Sequence, residues 1–527
     1  MLPEAQTCSL VHNRFGPGGG GTSLAALLKR CRSFALIVTP CLMLSISSCT
    51  LGPDNPPHVA LTPPAATSAS AQALLQGGVI SAAWWQTFGD PVLDQLEQHA
   101  LTGNLDLAEA SARIGSARAQ YRIAGAAGLP RVQAGSSYQR ERASPKGILA
   151  LTGAGSPSSS AAGGTDPFGA TTLSPTDKSN DYDLFQAGFD ASWELDLWGK
   201  ARRIREASRA QAQEAVFARD AARISLSAEV ARTYMHLRGA EARLAILRDN
   251  RQTILAGQHI AERRLSSGAA TRFDAATAGT QLAAIDARLP LAEREAAEAR
   301  NALALLAGLE PHGLDALLVA PAGPGETTQS GLPAGLSSDL ARQRPDIQAA
   351  EAALHAATAR IGVARADFYP SISLSGSFGL QSLALSDLPL WNARQFVAGP
   401  VLSLPIFQGG RLTGRLELAK AEQQVAALRY RATVLRAWHE IDDALEALRT
   451  ADARLAATNA GVEQSRIAAH VSERRYGAGA TGYVAVLVAQ QARLDREAEW
   501  IEARTDRAVA LTALYKALGG GWTPPSA

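Results

Sequence analysis

The stretch FQAGFDASWELDLWGKARRIREA, Phe185–Ala207, limits the possible folds of this chain more than any other. Phe185, Ala187, Phe189, Ala191, Trp193, Leu195 and Leu197 alternate with Gln186, Gly188, Asp190, Ser192, Glu194 and Asp196. A period of two is that of a strand with one apolar and one polar face. From Gly199 the pattern becomes charged and helical, with no proline or turn cluster in between. A strand therefore runs straight into a helix. The helix is long, because no proline falls between Pro175 and Pro290, nor between Pro405 and Pro524. Helical patterns cover about 91–128, 199–266, 271–308, 338–366, 410–476 and 485–518. About 66 helical residues would span roughly 100 Å, too long for a globular core and stable only with coiled-coil partners.

Three further strands are expected, near 131–140, 371–380 and 395–406. In the second of these, Ile372, Leu374, Gly376, Phe378 and Leu380 alternate with Ser371, Ser373, Ser375, Ser377 and Gly379. The other two alternate less cleanly. Lengths near ten residues suit a bilayer-crossing strand, although a half-buried soluble sheet alternates in the same way. The Ser/Gly polar face suits a wet lumen, and Trp193 and Trp198 stand where an aromatic girdle would end the apolar face. Four strands cannot seal themselves in lipid, so several copies would have to share one barrel. Gly199 and the Gly409–Gly410 pair then mark the barrel-to-helix joints, where glycine permits a change of backbone direction.

The chain also repeats itself. ERRLSSGAA at 262–270 matches ERRYGAGAT at 473–481, an offset of 211, and IGSARAQ at 114–120 matches IGVARAD at 361–367, an offset of 247. The difference of 36 is assigned to the Gly/Ser/Pro-rich stretch 144–180. The expected order is a first repeat over 91–309, a linker over 310–337, a second repeat over 338–520 and a tail over 521–527.

Composition excludes several classes. Net charge is +2 and no basic cluster is interleaved with aromatics, so nucleic acid is not an expected partner. No apolar run after residue 50 is long enough for a membrane helix. All four cysteines lie at or before Cys49, which leaves no disulfide or Cys-based zinc site for the body of the chain. Residues 1–48 read as an N-terminal extension and signal peptide: Lys29, Arg30 and Arg32 precede an apolar stretch from Phe34 to Ile46. ISSC at 46–49 resembles a bacterial lipobox, which implies acylation of Cys49 and a lipidated, Pro- and Ala-rich extended segment over 49–90. GPGGGG at 16–21 lacks the Lys-Ser/Thr ending of a phosphate loop.

WWQTFGDPVLDQL (84–96), WELDLWGKARR (193–203), PIFQGGRL (405–412) and RYGAGATGYVAVLVAQ (475–490) resemble the TolC-like outer-membrane factors of tripartite efflux pumps. SCTLGPDNP (48–56) is similar to the start of their lipoprotein branch. The resemblance implies an α+β membrane protein. A trimer would build a 12-stranded transmembrane β-barrel, four strands per protomer, continued by a long periplasmic α-helical barrel with a small mixed equatorial domain. It implies a passive exit duct for drugs or other small toxic compounds, with a periplasmic adaptor and an inner-membrane RND-type transporter as partners, lipid around the barrel, and no cofactor. The adaptor-contact turns would be Leu265–Gly268 and Tyr476–Gly479. The family often carries tip aspartates, but the matching positions here are Ala485 and Val488, and Asp274 is the first-half counterpart of Ala485. The expected constriction is therefore apolar, formed by Val484 and Val488, and would gate by dewetting. Arg474 and Arg475, with Glu473, could pair between helices and hold the tip shut, or form a solvated face.

Rival readings are an enzyme, a periplasmic coiled-coil lipoprotein, or the same duct serving type I protein secretion or metal export. The enzyme reading finds no HExxH and no Gly-x-Ser-x-Gly signature. His439, Glu440, Asp442 and Asp443 in WHEIDDAL diverge around a helix and read as a polar face.

Overall fold

The computed structural model describes residues 50–53, 81–142, 181–319 and 344–521. Cys49 and the signal segment lie outside these residues, as do most of the 49–90 segment, the 144–180 stretch and the later part of the 310–337 linker. From Leu51 onward the chain is one compact unit.

A 3-10 turn at Trp84–Phe88 leads into helices α1 (Pro91–Gly103) and α2 (Leu105–Ala126). Strands β1 (Arg131–Arg142) and β2 (Asp181–Leu195) follow, then the long helices α3 (Lys200–Ser266) and α4 (Arg272–Leu306) and a single turn at Asp315–Leu318. The second half runs α5 (Pro345–Ala366), β3 (Ser371–Ser382), β4 (Arg394–Ser403), α6 (Arg411–Gly477) and α7 (Tyr483–Ala517). The four strands form one antiparallel sheet in the order β1-β2-β3-β4. Helices α3 with α4 and α6 with α7 pack as hairpins, and α5 lies between α3 and α6.

The expected 91–128 helix is broken. Asn104 leaves the helical region at φ −64°, ψ 127°, and its side chain accepts from Leu107 N at 2.9 Å, capping α2. Its amide also donates to Leu306 O at 2.9 Å, so a contact with α4 fixes the break.

Helices α3 and α6 both have 67 residues, and α4 and α7 both have 35. Lys200 and Arg411, and Arg272 and Tyr483, are 211 positions apart, as the tip motifs indicate. The offset of 247 does not survive. Leu105 and Pro345, which open two 22-residue helices, and Arg131 and Ser371, which open β1 and β3, are 240 positions apart. A seven-residue slip is about two helical turns and keeps the same face, so Ala-rich helices match themselves almost equally well in either register. The excess of 240 over 211 is 29 residues, not 36.

The largest core lies where α1, α3, α4, α6 and α7 meet. Trp84 is 1% exposed and stacks on Tyr515 at 5.1 Å, which explains the WWQTF motif as core. Asp90 caps α1 by accepting from Val92 N at 2.9 Å, and its other oxygen accepts from Tyr234 on α3 at 2.5 Å. Arg344, at the start of α5, joins three elements by donating to Asp346, to Glu440 on α6 and to Ala517 O at the end of α7.

Glu97 on α1 is 0% exposed, and among the described residues neither carboxyl oxygen has a hydrogen-bond partner. Burial pushes it up to about 9; Ser227 and Arg223 pull the other way, and Asp94 adds to the rise. The folded state thus holds a proton that the unfolded chain releases near the ordinary value of 4.5. Stability from this group is complete below that value and is lost as pH rises through about 9. Glu97→Gln is expected to raise the thermal midpoint at pH 8 and to flatten the decline between pH 4.5 and 9, as followed by circular dichroism.

Candidate functional site

The sheet register separates two faces, because directly opposed residues point the same way. One face carries Val132, Ala134 and Tyr138 of β1 beside Phe185, Phe189, Ala191 and Trp193 of β2. It continues through Ile372, Leu374, Phe378 and Leu380 of β3 to Phe396, Ala398, Pro400 and Leu402 of β4. Phe189, Phe378 and Phe396 form a row across three strands and are 57%, 53% and 76% exposed. The other face carries Gln133, Gln186, Asp190, Glu194 and Ser371 to Ser377 at alternate positions. β4 alternates poorly in sequence because Val397 and Val401 fall on this polar side. Among the described residues, both outer strands, β1 and β4, have a free edge.

Gly188 and Gly379 oppose one another on the polar face. A Cβ on Gly379 would lie 2.7 Å from Ala187 O and 2.9 Å from Gly188 Cα, so the close β2–β3 approach requires glycine.

Gly199 and Gly410 are the N-caps of α3 and α6 at φ 80° and 83°, and Gly409 has φ 56°. Capping of α3 comes from Asp196, whose oxygens each accept at 3.0 Å from Ala201 N and Arg202 N. Trp193 points from the apolar face and donates to Gly128 O at 3.0 Å. Trp198 does not extend that face; it donates to Pro370 O at 2.6 Å and packs on Tyr369, tying the foot of β2 to the foot of β3. Leu51–Pro53 docks beside this joint. Leu51 N donates to Trp198 O at 3.2 Å, and Arg203, 4% exposed, reaches Leu51 O at 3.4 Å.

At the far end of the long helices, both tip turns use the same backbone closure. Gly268 N donates to Leu265 O and Ala269 N to Arg264 O; Gly479 N donates to Tyr476 O and Ala480 N to Arg475 O. Gly268 and Gly479 share φ 74°, the left-handed residue of a Schellman cap. Asp274 is part of a capping box: it accepts from Thr271 N at 2.9 Å and from Thr271 Oγ1 at 2.7 Å. These bonds hold its carboxyl below the usual range. Its second-half counterpart, Ala485, has no such role, and α7 begins at Gly482 with no side-chain cap.

Val484 is 37% exposed and Val488 64%, and both share a face of α7 with exposed Ala485. Tyr483, Val486, Leu487 and Gln490 are buried on the other side. Arg474 and Arg475 are exposed and make no ion pair among the described residues. The inter-helix bond beside them is instead Gln490 Nε2 to Glu473 at 3.0 Å. Tyr476 packs on Tyr483 at 5.2 Å, and the Arg264 guanidinium lies 4.3 Å above the Tyr476 ring. Among the described residues no group of His, Cys, Asp or Glu could hold a metal, and no helix is long and apolar enough to cross a membrane.

Residues 96–309 and 336–520 match the outer membrane efflux protein family. The chain belongs to that family. It is 33% identical over 491 residues to the pyoverdine export outer membrane protein OpmQ of Pseudomonas putida, covering 92% of this chain and 98% of that one. It is 31% identical over 440 residues to the toluene efflux pump outer membrane protein TtgC of Pseudomonas putida, covering 83% and 85%. The solved outer-membrane channel OprN superposes with a TM-score of 0.78 at 32% identity, over 90% of this chain and 100% of that one. The chain is therefore an outer-membrane efflux protein, a transport duct and not an enzyme.

The glycine pair gives a direct test. Gly379→Val is expected to abolish protease-resistant protein in outer-membrane fractions, whereas Gly376→Ala, whose Cβ would have its nearest neighbour at 3.5 Å, should insert normally.

Proposed function

We propose that this chain is the outer-membrane exit duct of a tripartite efflux system, and that its uncovered apolar sheet face, with two free edges, carries the reading. In hydrocarbon an unsatisfied backbone group costs several kcal/mol, so a four-stranded sheet needs partners along both edges. Three copies would give a 12-stranded barrel, phenylalanine row outward and Ser/Gly/Asp face inward. The helices α2 to α7 would continue it as a periplasmic α-barrel, with α3 and α6 each reaching about 100 Å. The paired halves are read as an internal duplication.

An acyl chain on Cys49 would leave the chain two residues before Leu51, which docks at the foot of β2 beside the joint. That supports a lipid anchor at the periplasmic leaflet. The two Schellman turns, from Leu265 to Gly268 and from Tyr476 to Gly479, would meet a periplasmic adaptor that bridges to an RND-type inner-membrane transporter. Val484 and Val488 would form the narrowest ring at the tip, an apolar gate that conducts when it wets. Gln490–Glu473 is a better candidate than Arg474 or Arg475 for the bond that resists opening. Cargo would be small toxic or exported compounds, as the names of the two relatives suggest.

Two outcomes test this reading. Phe189→Arg should reduce assembled trimer in the outer membrane by a cost of about 2–4 kcal/mol, whereas Ser377→Arg on the polar face should assemble normally and change conductance. If the two behave alike, the faces are assigned wrongly. Replacing both Val484 and Val488 with Ala should raise the resting conductance of purified trimers in planar bilayers roughly twofold or more. An unchanged conductance removes the gate.

A further inference from the structure

Two glycines of α3 meet two side chains of α7: Gly239 lies against Thr505 and Gly257 against Tyr483. Gly239 and Gly257 are 18 positions apart, about five full turns, so they share one face of α3. Thr505 and Tyr483 are 22 positions apart, about six turns, and likewise share one face of α7. The two helices are therefore indexed at two points.

The seat nearer the tip is the tighter of the two. A Cβ on Gly257 would run into the Tyr483 hydroxyl and lie 3.1 Å from its Cζ. Tyr483 is 4% exposed, and its hydroxyl has no hydrogen-bond partner among the described residues. Fully buried Ala261 of α3 and Ala278 of α4 belong to the same cluster, with Tyr476 of α6 packed against it. The cluster thus joins all four helices of the tip, and within it Tyr483 of α7 meets Gly257 of α3 and Tyr476 of α6.

Tyr483 directly precedes the proposed gate. At about 100° per residue, Val484, Ala485 and Val488 lie about 100°, 200° and 140° around α7 from it. With Tyr483 aimed into α3, those three residues must point away from it, which agrees with their exposure. We propose that Tyr483, seated over Gly257, is a positioning residue that sets the rotation of α7 and so aims Val484 and Val488 at the pore axis. The proposal rests on the gate assignment made above. The unpaired hydroxyl shows that shape holds the seat, not a hydrogen bond.

The test is a mutant cycle read as resting conductance of purified trimers in planar bilayers. Gly257→Ala displaces the Tyr483 ring and is expected to raise conductance roughly twofold or more. Tyr483→Phe keeps the ring and should stay at the wild-type value. The double variant removes the hydroxyl that the new methyl would strike, leaving only the 3.1 Å contact with Cζ, and should recover most of the wild-type value. Rescue by this pair is something a general packing defect would not give. If Gly257→Ala fails to assemble, Tyr483→Leu decides: it empties the seat and should leak while trimers persist on unheated gels. A silent Gly257→Ala or Tyr483→Leu, or a double variant as leaky as Gly257→Ala, overturns the proposal. Replacing Val484 and Val488 with Ala separates the two failures. If that pair leaks and the seat variants do not, only the seat is wrong; if that pair is silent, the gate itself is wrong.

Discussion

The structure depends on a sheet that the protomer cannot finish. β1 and β4 each present one unpaired edge, and the apolar side of all four strands is covered by nothing in the described chain. In water this surface would aggregate, and in lipid the bare edges would be intolerable. Both problems end if sister strands pair along the edges and hydrocarbon covers the phenylalanines. Strand lengths of 12, 15, 12 and 10 residues are enough for a tilted crossing. Under the proposed reading, assembly and membrane insertion are one physical event.

The joint carries the sheet's geometry into the helices. Asp196 caps α3 within the same few residues that end β2, so strand and helix meet without a free loop. Trp198 crosses from the foot of β2 to Pro370 at the foot of β3, binding the two halves where the helices begin. Arg203 then holds the backbone of Leu51 and Gly52, and Gly52 packs on Gly362 with no room for a side chain on either. Leu51 and Gly52 are thus part of the joint.

Much of this was legible in the sequence, because two periods differ so sharply. Alternation located β2 and β3, and the helical patterns over 199–266 and 410–476 bounded α3 and α6 to within about one residue. β4 was blurred by Val397 and Val401, apolar residues on the polar face. Asn104 gave no warning of a break, since its partner Leu306 is distant in the chain. Asp274 stands at the first-half position that matches Ala485, and Thr271 three residues earlier is the signature of the cap it forms. Gly257 is one of two isolated glycines inside an Ala-rich helix, a pattern that usually has a packing reason. What it packs against lies in the other half of the chain, and no local pattern names it.

The equal lengths of α3 and α6, and of α4 and α7, restrict how this chain can change. One residue added to α3 below the joint would turn everything beyond it by about 100° and advance it by about 1.5 Å. Gly257 would then face away from Tyr483, and the two tip turns would no longer end level. Insertions of about seven or eleven residues restore the angular phase, but only if all the long helices accept them together. The two halves differ in length mainly between their strands, with residues 143–180 separating β1 from β2 and 383–393 separating β3 from β4.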